Sequence, residues 1–439
     1  MTPHSHVPAP GGSALGGGAS FDNLGIAPKL LDILKSNKFT TPTPIQRQCI
    51  PHGLTGKDIV GIAQTGTGKT LAFGIPLLQR LAEHKGQALV MVPTRELAMQ
   101  VDEMLRKIGR TLGLRTAVLI GGVSQERQIK SLRNNPHIVI ATPGRLIDHL
   151  QQKNYSLDRL RAIVLDEADR MFDIGFLPSI KRVLEAAPKE RQTLLFSATM
   201  PSAIASIAAR HMKMPLRIEV APSGTTIESV EQEIFILQKA QKLQLLEKIL
   251  TENSGTVLLF SRTKYGAKKI AKVVKAMGIP AAEIHSNRSQ AQRTEALNGF
   301  KYGKYRVLVA TDIAARGIDV EDIALVVNYD LPENAEDYVH RIGRTARAGA
   351  DGKAISFATP DQRGDIKQIE RLIKKTIPIL ALPHLPQSSD AVVRAVYLGN
   401  DRDDEPRRRA FNPNRGRSRR PAFQGARPAS FARRRSYSR

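Results

Sequence analysis

The sequence has almost no cysteine and no long apolar run, and both shortages limit what the protein can be. Cys49 is the one cysteine among 439 residues, so an intrachain disulfide is excluded and a reducing compartment is the simplest expectation. No uncharged apolar stretch is long enough to span a bilayer, and the small-residue stretch 11–18 lacks the apolar core of a secretion signal. We therefore expect a soluble, cytoplasmic protein with no membrane partner.

Acidic residues are missing from the last 34 residues, Pro406 to Arg439, which contain twelve arginines. This segment carries about half of the formal net charge of +25, and its Arg, Gly, Ser and Pro content is typical of chains without stable structure. A strongly basic segment binds polyanions by releasing their counterions. We interpret it as a flexible polyanion-binding tail, with a solubilising extension as the alternative.

Between its ends the chain alternates short apolar runs with amphipathic stretches, in two series. Alternating strand and helix patterns predict parallel sheets with right-handed crossovers, so each series is expected to form an α/β domain. The predicted divisions are a flexible arm at 1–20, a first domain at 21–220, a linker at 221–227, a second domain at 228–375 and the tail at 376–439. The proline-interrupted stretch 377–385 is expected to pack loosely.

The predicted strands are apolar runs of three or four residues. They are 59–62, 89–92, 117–120, 138–141, 163–165 and 193–196 in the first domain, and 257–260, 281–284, 307–310, 325–328 and 354–357 in the second.

A glycine-rich stretch, AQTGTGKT at 63–70, follows the first predicted strand and precedes a helical pattern. Its glycines allow backbone N–H groups to face phosphates, Lys69 reaches the terminal phosphates, and Thr70 offers a hydroxyl to Mg²⁺. The alternative is a glycine-rich turn between strand and helix. The strand and helix that flank it favour a phosphate-binding loop.

The run 163–165 ends in four residues, Asp166, Glu167, Ala168 and Asp169. Alone they could be the first turn of a helix, where carboxylates are favoured. Ligands of open parallel sheets bind beyond the carboxyl ends of the strands, where a phosphate-binding loop also lies. We therefore expect Asp166 to order Mg²⁺ and Glu167 to orient and deprotonate a water molecule.

The segment DEAD at 166–169, together with AQTGTGKT, resembles the DEAD-box RNA helicases of helicase superfamily 2. The resemblance implies two tandem RecA-like parallel-sheet domains, an RNA-stimulated ATPase and helicase, ATP and Mg²⁺ as cofactors, and RNA as a partner bound largely without regard to sequence. The glycine-rich arm and basic tail are similar to bacterial RhlE-type members. A monomeric core and ribosomal or RNA-decay assemblies are expected. Further segments match in order from residue 21 to about residue 375: PTPIQ, PTRELA, TPGR, SAT, FSRTK, ATDIAARGID and HRIGRTARAG.

The resemblance also implies roles for individual residues. Catalysis is implied for Lys69, Asp166, Glu167, His340, Arg344 and Arg347. ATP binding is implied for Phe39, Gln46, Thr65, Gly66, Thr67, Gly68, Lys69, Thr70, Gly317 and Asp319, and Mg²⁺ binding for Thr70 and Asp166. RNA binding is implied for Pro93, Thr94, Arg95, Gly121, Gly122, Thr142, Pro143, Gly144, Arg145, Arg262, Gln290, Arg293 and Thr311. Coupling of hydrolysis to strand separation is implied for Ser197 and Thr199.

The two arginines Arg344 and Arg347 belong to the second domain. They can stabilise charge on a γ-phosphate only when the two domains close around ATP, so hydrolysis is expected to depend on closure. Few aromatic residues accompany the segments that resemble RNA-binding motifs, so base stacking is not expected.

Three positions depart from the family pattern. Ala346 stands where the family usually has glycine, which puts the flexibility of the arginine loop in question. Ser286 follows His285 where glycine is common, which puts a close approach of the backbone to RNA in question. Ala63, at the start of the phosphate-binding loop, is common in the family.

Two other function classes share the expected fold. A non-catalytic ATP-gated RNA clamp is disfavoured because the catalytic residues are present, and a DNA translocase is disfavoured by the DEAD and PTPIQ segments. Comparing the stimulation of ATP hydrolysis by RNA and by DNA separates the second alternative.

Overall fold

The structure is a computed structural model that describes residues 20–64, 66–220, 230–315, 323–345 and 352–385, without the side chain of Ile313. The predicted linker at 221–227 and the arginine-rich segment lie outside the described residues. So do Thr65, Gly317, Asp319, Ala346 and Arg347.

Seven parallel strands form the first sheet, in the order β3-β4-β2-β5-β6-β1-β7. The strands are β1 (Ile59–Ile62), β2 (Gln87–Met91), β3 (Thr116–Leu119), β4 (Ile138–Ala141), β5 (Leu160–Leu165), β6 (Gln192–Ser197) and β7 (Leu216–Glu219). The helices are α1 (Pro28–Ser36), α2 (Pro44–Leu54), α3 (Lys69–Glu83), α4 (Arg95–Gly109), α5 (Gln125–Arg133), α6 (Pro143–Gln151), α7 (Ala168–Asp173), α8 (Leu177–Ala186) and α9 (Ser202–His211).

The described residues from 230 onward form a second parallel sheet, in the order β10-β11-β9-β12-β13-β8-β14. Its strands are β8 (Val230–Ile236), β9 (Val257–Phe260), β10 (Ala281–Ile284), β11 (Val307–Ala310), β12 (Leu325–Asn328), β13 (Gly352–Ala358) and β14 (Ile379–Leu380). Its helices are α10 (Lys242–Glu252), α11 (Lys264–Ala276), α12 (Gln290–Lys301), α13 (Asp312–Ala315), α14 (Ala335–Ile342) and α15 (Arg363–Ile373). No helix in the described ranges has both the length and the apolar character needed to cross a membrane.

Helices cover both faces of each sheet, and an apolar core lies on each face. The central strands are therefore continuous apolar runs, as parallel sheets buried on both sides require. Packing around β1 is tight: a Cβ on Gly61 would lie 2.5 Å from the ring of Phe196, which contacts Phe73 with ring centres 5.6 Å apart. The carboxyl ends of the strands consequently emerge at one rigid edge in each domain.

Three strands of the structure, β7, β8 and β14, were not predicted from the sequence. The first half of β8, VEQEIFI, contains three consecutive polar residues, 231–233. Strands β7 and β14 are edge strands, and both residues of β14 are exposed. A search for apolar runs finds strands covered on both faces and passes over such edges.

The expectation that 377–385 packs loosely is wrong. The carbonyl of Pro378 accepts a hydrogen bond of 2.9 Å from the Ile234 N–H, and β14 pairs with β8. Ile377 is 2% exposed, while Leu382 and Leu385 pack against an apolar core of the second domain. This part of the predicted tail completes the second sheet because its apolar residues need that core for burial.

The contribution of this segment can be measured with two isoleucines that differ in burial. Ile377→Ala should destabilise the second domain by about 2–4 kcal/mol, because it removes a fully buried side chain and leaves a cavity. Ile379 is 51% exposed, so Ile379→Ala is the matched control and should cost less than about 1 kcal/mol. Denaturant unfolding of both variants gives the comparison. Equal losses would show that the segment does not pack as described.

Candidate active site

The loop between β1 and α3 is shaped by two glycines with left-handed backbones. Gly66 and Gly68 have φ angles of 86° and 84°, a region that side chains disfavour. Lys69 is buried, and its Nζ donates a hydrogen bond of 2.9 Å to the carbonyl of Ala63, at the start of the loop. The loop therefore presents an ammonium beside the N-terminus of α3, a combination that binds anions.

The PTPIQ segment is tied to this loop by one glutamine. Gln46 is buried; its Oε1 accepts from the Thr43 N–H over 2.9 Å and its Nε2 donates to the Gly68 carbonyl over 3.0 Å. A Cβ on Gly68 would lie 2.3 Å from this Nε2. Phe39 is half-buried against the first core, with the Lys107 ammonium 5.8 Å from its ring centre.

Two threonines accompany the loop. The hydroxyl of Thr67 donates to the Gln64 carbonyl over 2.7 Å, and Thr70 is half-buried in the first turn of α3.

The acidic residues after β5 lie beside the loop, as expected. Asp166 is 3% exposed and accepts a hydrogen bond of 2.9 Å from the Glu167 N–H. Burial raises the pKa of Asp166 to about 6; the Glu167 charge acts in the same direction and Lys69 acts against it. The carboxylate therefore lacks full compensation within the protein.

Glu167 occupies a strained backbone conformation. Its φ and ψ are 53° and 52°, a left-handed conformation uncommon for residues other than glycine. Its carboxylate is buried and pairs with the Arg170 guanidinium, Nη1 to Oε2, over 3.1 Å. Six described non-glycine residues have a positive φ, and Glu167 is the one that belongs to the DEAD segment; backbone strain of this kind clusters at active sites.

Asp169 faces the end of β6. Its Oδ2 accepts from the N–H groups of Ala198 and Thr199 over 3.0 and 2.8 Å and from the Thr199 hydroxyl over 3.1 Å. The Asp169 N–H donates to the Ser197 hydroxyl over 3.1 Å. Ser197 and Thr199, predicted to couple hydrolysis to strand separation, are thus bonded directly to the DEAD segment.

Residues of the second domain approach the same place. Burial acts to raise the pKa of Asp169, but the charges of Lys69, Arg170 and His340 hold it below its ordinary value. Arg344 and His340 line a cavity of about 10 Å³ together with Arg170. The DEAD segment and the described residues 340–344 therefore face each other across the domain boundary.

An interdomain cleft of about 720 Å³ adjoins this site. Its lining includes ten of the residues predicted to bind RNA: Pro93, Thr94, Arg95, Gly121, Thr142, Gly144, Arg145, Arg262, Arg293 and Thr311. Three others lie outside that lining. Gly122 is exposed beside Arg95, Pro143 is buried at the start of α6, and Gln290 lines a different groove.

Arg293, which is predicted to bind RNA, contacts protein groups in the structure. Its Nε donates to Glu96 Oε1 over 2.7 Å and its Nη1 to the His285 carbonyl over 3.2 Å, and both charged side chains are buried. The Arg293 guanidinium therefore donates these hydrogen bonds to acceptors of the protein. Since Glu96 belongs to the first domain and Arg293 to the second, the pair is an interdomain link.

Three charged residues of the site had no predicted role although each lies within or beside a matching segment. Glu96 forms the interdomain link, and Arg170 pairs with Glu167. Arg341 makes a two-pronged ion pair with Asp312, at 2.5 and 2.8 Å, and stacks 4.9 Å from the Phe260 ring centre. A charged residue inside a segment of otherwise assigned roles is the signal that could have marked them.

Two family models match the chain. The DEAD/DEAH box helicase model matches residues 43–207, and the helicase conserved C-terminal domain matches residues 241–349. The DEAD-box ATP-dependent RNA helicase CshA of Bacillus cereus is 43% identical over 380 residues, which cover 86% of this chain and 72% of that protein. The chain belongs to the DEAD-box helicase family. The ATP-dependent rRNA helicase RRP3 of Debaryomyces hansenii is 41% identical, covering 87% of this DEAD-box helicase and 80% of that protein.

Solved structures resemble this DEAD-box helicase over both domains. Dbp5 of S. cerevisiae bound to RNA and ADP BeF3 has a TM-score of 0.73 at 30% identity, covering 83% of this chain and 95% of that one. Mss116p bound to ssRNA and AMP-PNP has a TM-score of 0.76 at 28% identity, covering 87% and 82%. The predicted family, its two RecA-like domains and an RNA-stimulated ATPase are confirmed. The RhlE-type assignment stays a prediction.

Removing the charge of Asp166 and removing that of Asp169 should change the free energy of unfolding in opposite directions. Ionisation of Asp166 lowers the free energy of unfolding by on the order of 2–3 kcal/mol above about pH 6. The reason is that the pKa of Asp166 lies at about 6 in the fold and near 3.8 in the unfolded chain. In nucleotide-free and Mg²⁺-free protein, Asp166→Asn should therefore raise the free energy of unfolding above about pH 6, and the gain should vanish near pH 4.

Asp169→Asn should lower the free energy of unfolding at neutral pH, because the pKa of Asp169 lies below its ordinary value and its ionised form stabilises the fold. The deficit should shrink as the pH falls through the pKa of Asp169 in the fold. Denaturant unfolding over a pH series measures both variants, and a loss of stability for Asp166→Asn at every pH would contradict the assignment.

Proposed function

We propose that this DEAD-box helicase binds ATP with Mg²⁺ between its domains, closes over a short stretch of RNA, separates a neighbouring duplex locally and is reset by hydrolysis. The observation that carries the proposal is the approach of His340 and Arg344 to the DEAD segment. A site whose parts come from two domains is complete only when they are together. Opening and closing would then switch hydrolysis on and off.

The donor set at the end of β5 fits Mg²⁺. Magnesium prefers hard oxygen ligands, keeps several waters and takes one or two protein ligands. Asp166 and Thr70 supply a carboxylate and a hydroxyl, and a bound cation would favour the ionised carboxylate that burial now disfavours. When bound, Mg²⁺ neutralises charge on the phosphates of ATP.

The protein's own groups account for the remaining chemistry. Lys69 holds the terminal phosphates, and Glu167 orients the attacking water and accepts its proton. Arg170 keeps the Glu167 side chain in place through its 3.1 Å ion pair. Arg344 stabilises charge on the γ-phosphate in the closed state, a role worth roughly 10³ to 10⁵ in rate for arginine fingers.

Coupling between hydrolysis and RNA runs through Asp169 in this proposal. Its bonds to Ser197 and Thr199 connect the phosphate site to the end of β6. RNA in the cleft meets Arg95 and Arg145 of the first domain and Arg262 of the second, so it favours the closed state. By linkage, a ligand that favours closure raises the affinity for ATP, and ATP raises the affinity for RNA to the same extent.

Substitution Glu167→Gln tests the catalytic assignment. It removes the proton acceptor and keeps the side-chain shape, so RNA-stimulated ATP turnover should fall by about 10² to 10⁴ while ATP and RNA still bind. Steady-state hydrolysis and RNA binding with an ATP analogue measure the two effects. Glu190→Gln, an exposed glutamate of the same domain, is the control and should retain wild-type turnover. Near-wild-type turnover in Glu167→Gln would refute the proposed water activation.

The arginine-rich end of the chain is proposed to add affinity for RNA. Deleting the residues after 400 should weaken RNA binding and leave RNA-independent ATP hydrolysis unchanged, because catalytic residues precede that point. If about six arginines contact single-stranded RNA, the deletion should flatten the log–log dependence of affinity on salt by roughly 4. Titrations at several salt concentrations measure this. Unchanged RNA affinity at low salt would favour the solubilising alternative.

A further inference from the structure

The first domain carries a second depression, which we call the β3 groove. It has a volume of about 1070 Å³ and lies along strand β3, with α4 on one side and α5 on the other. Strand β3 is the last strand of its sheet and pairs only with β4 among the described residues. Among the residues that line the groove, Gln290 is predicted to bind RNA, and no other carries a catalytic or RNA-binding prediction.

The β3 groove is lined by five basic and two acidic side chains. Asp102 accepts a hydrogen bond from the Thr116 hydroxyl and lies 3.9 Å from Arg106, so its charge is already compensated. Arg110 and Arg127 stand on opposite sides, are exposed, and have no carboxylate partner in the described part of the chain. The five basic residues are Arg106, Lys107, Arg110, Arg115 and Arg127, and the acidic ones are Asp102 and Glu103.

This composition fits the backbone of a nucleic acid better than its bases. None of the described residues that line the β3 groove is aromatic, so base stacking has no platform there. Guanidinium and ammonium groups spaced along α4, the turn after it at residues 110–112, and α5 can each meet a phosphate, which gives affinity without reading sequence. The arginine-rich end of this chain is excluded as the occupant because its charge has the same sign.

The β3 groove joins the interdomain cleft at the turn 121–124. Gly121 lines the cleft, whereas Val123 and Ser124 line the groove. Nη1 of Arg145, which lines the cleft, donates a long hydrogen bond of 3.5 Å to the carbonyl of Val123, which lines the groove. Gln290 of the second domain lines the groove and lies three residues before Arg293 of the cleft.

We propose that the β3 groove extends the RNA path, holding the backbone of single-stranded RNA that leaves one end of the interdomain cleft. The proposal rests on the proposed function, since it requires RNA in the cleft. An acidic peptide that adds to the free edge of β3 is the other polyanion that could fit. Continuity with the cleft favours RNA, because a strand that passes the turn 121–124 reaches the five basic side chains directly.

The test compares RNAs of increasing length on the full chain. A short RNA that fills only the cleft is lengthened stepwise at its 5′ end or at its 3′ end, and affinity is measured by fluorescence anisotropy with an ATP analogue present. Wild-type affinity should rise with extension at one end only, because the β3 groove lies at one end of the cleft. The double variant Arg110→Glu and Arg127→Glu should lose about tenfold in affinity for that longer RNA, with a log–log salt slope lower by about 1.4.

The control variant carries the same charge change in the first domain, away from the β3 groove. Lys57 and Lys189 are exposed and precede β1 and β6, so Lys57→Glu with Lys189→Glu should leave the length dependence intact. The groove variant should keep wild-type ATP hydrolysis with the short RNA, which separates failure of this proposal from failure of the proposed function. Equal losses for short and long RNA, or no loss for either, as an acidic peptide site predicts, would overturn it.

Discussion

One buried carboxylate, that of Asp169, joins the parts of the active site. Its Oδ2 accepts three hydrogen bonds from Ala198 and Thr199, and the charges of Lys69, Arg170 and His340 hold its pKa low. A buried carboxylate is stable only when it is paired and hydrogen-bonded. The phosphate-binding loop, the ends of β5 and β6 and the second domain therefore depend on one another through this group. Movement of any of them changes its electrostatic surroundings.

Asp166 stands three residues away in the opposite electrostatic situation. It receives one hydrogen bond from the Glu167 N–H, and burial raises its pKa to about 6. The surrounding positive charges and hydrogen bonds thus compensate the buried charge of Asp169, whereas they compensate that of Asp166 only in part. That difference supports the proposal that Asp166 binds the cation and that Asp169 couples the phosphate site to β6, although both belong to one tetrapeptide.

The central strands could be predicted from the sequence because burial on both faces requires continuous apolar runs, as in IVGI of β1 and VLVA of β11. The edge strand β7, with LRIE, could not, since one side meets solvent and charged residues alternate with apolar ones. The sequence motifs that match the family identified which side chains gather at the carboxyl ends of the strands. They did not identify the pairings, and Arg293 met Glu96, 197 residues away, where RNA was expected. Such a pairing depends on how two domains meet, which no local pattern encodes.

The interdomain cleft brings like charges together, and this has a consequence for closure. Burial is the main cause that lowers the pKa of Arg95, and the positive charges of Arg293 and Arg145 lower it further. The negative charge of Glu96 raises it. Closing the domains therefore brings Arg293 toward Arg95 and Arg145 as well as toward Glu96, with which it pairs over 2.7 Å. In the proposed function, RNA in the cleft would add negative charge between these cations. RNA bound there would stabilise the arrangement that places Arg344 near the DEAD segment, which gives an electrostatic reason for hydrolysis to depend on RNA.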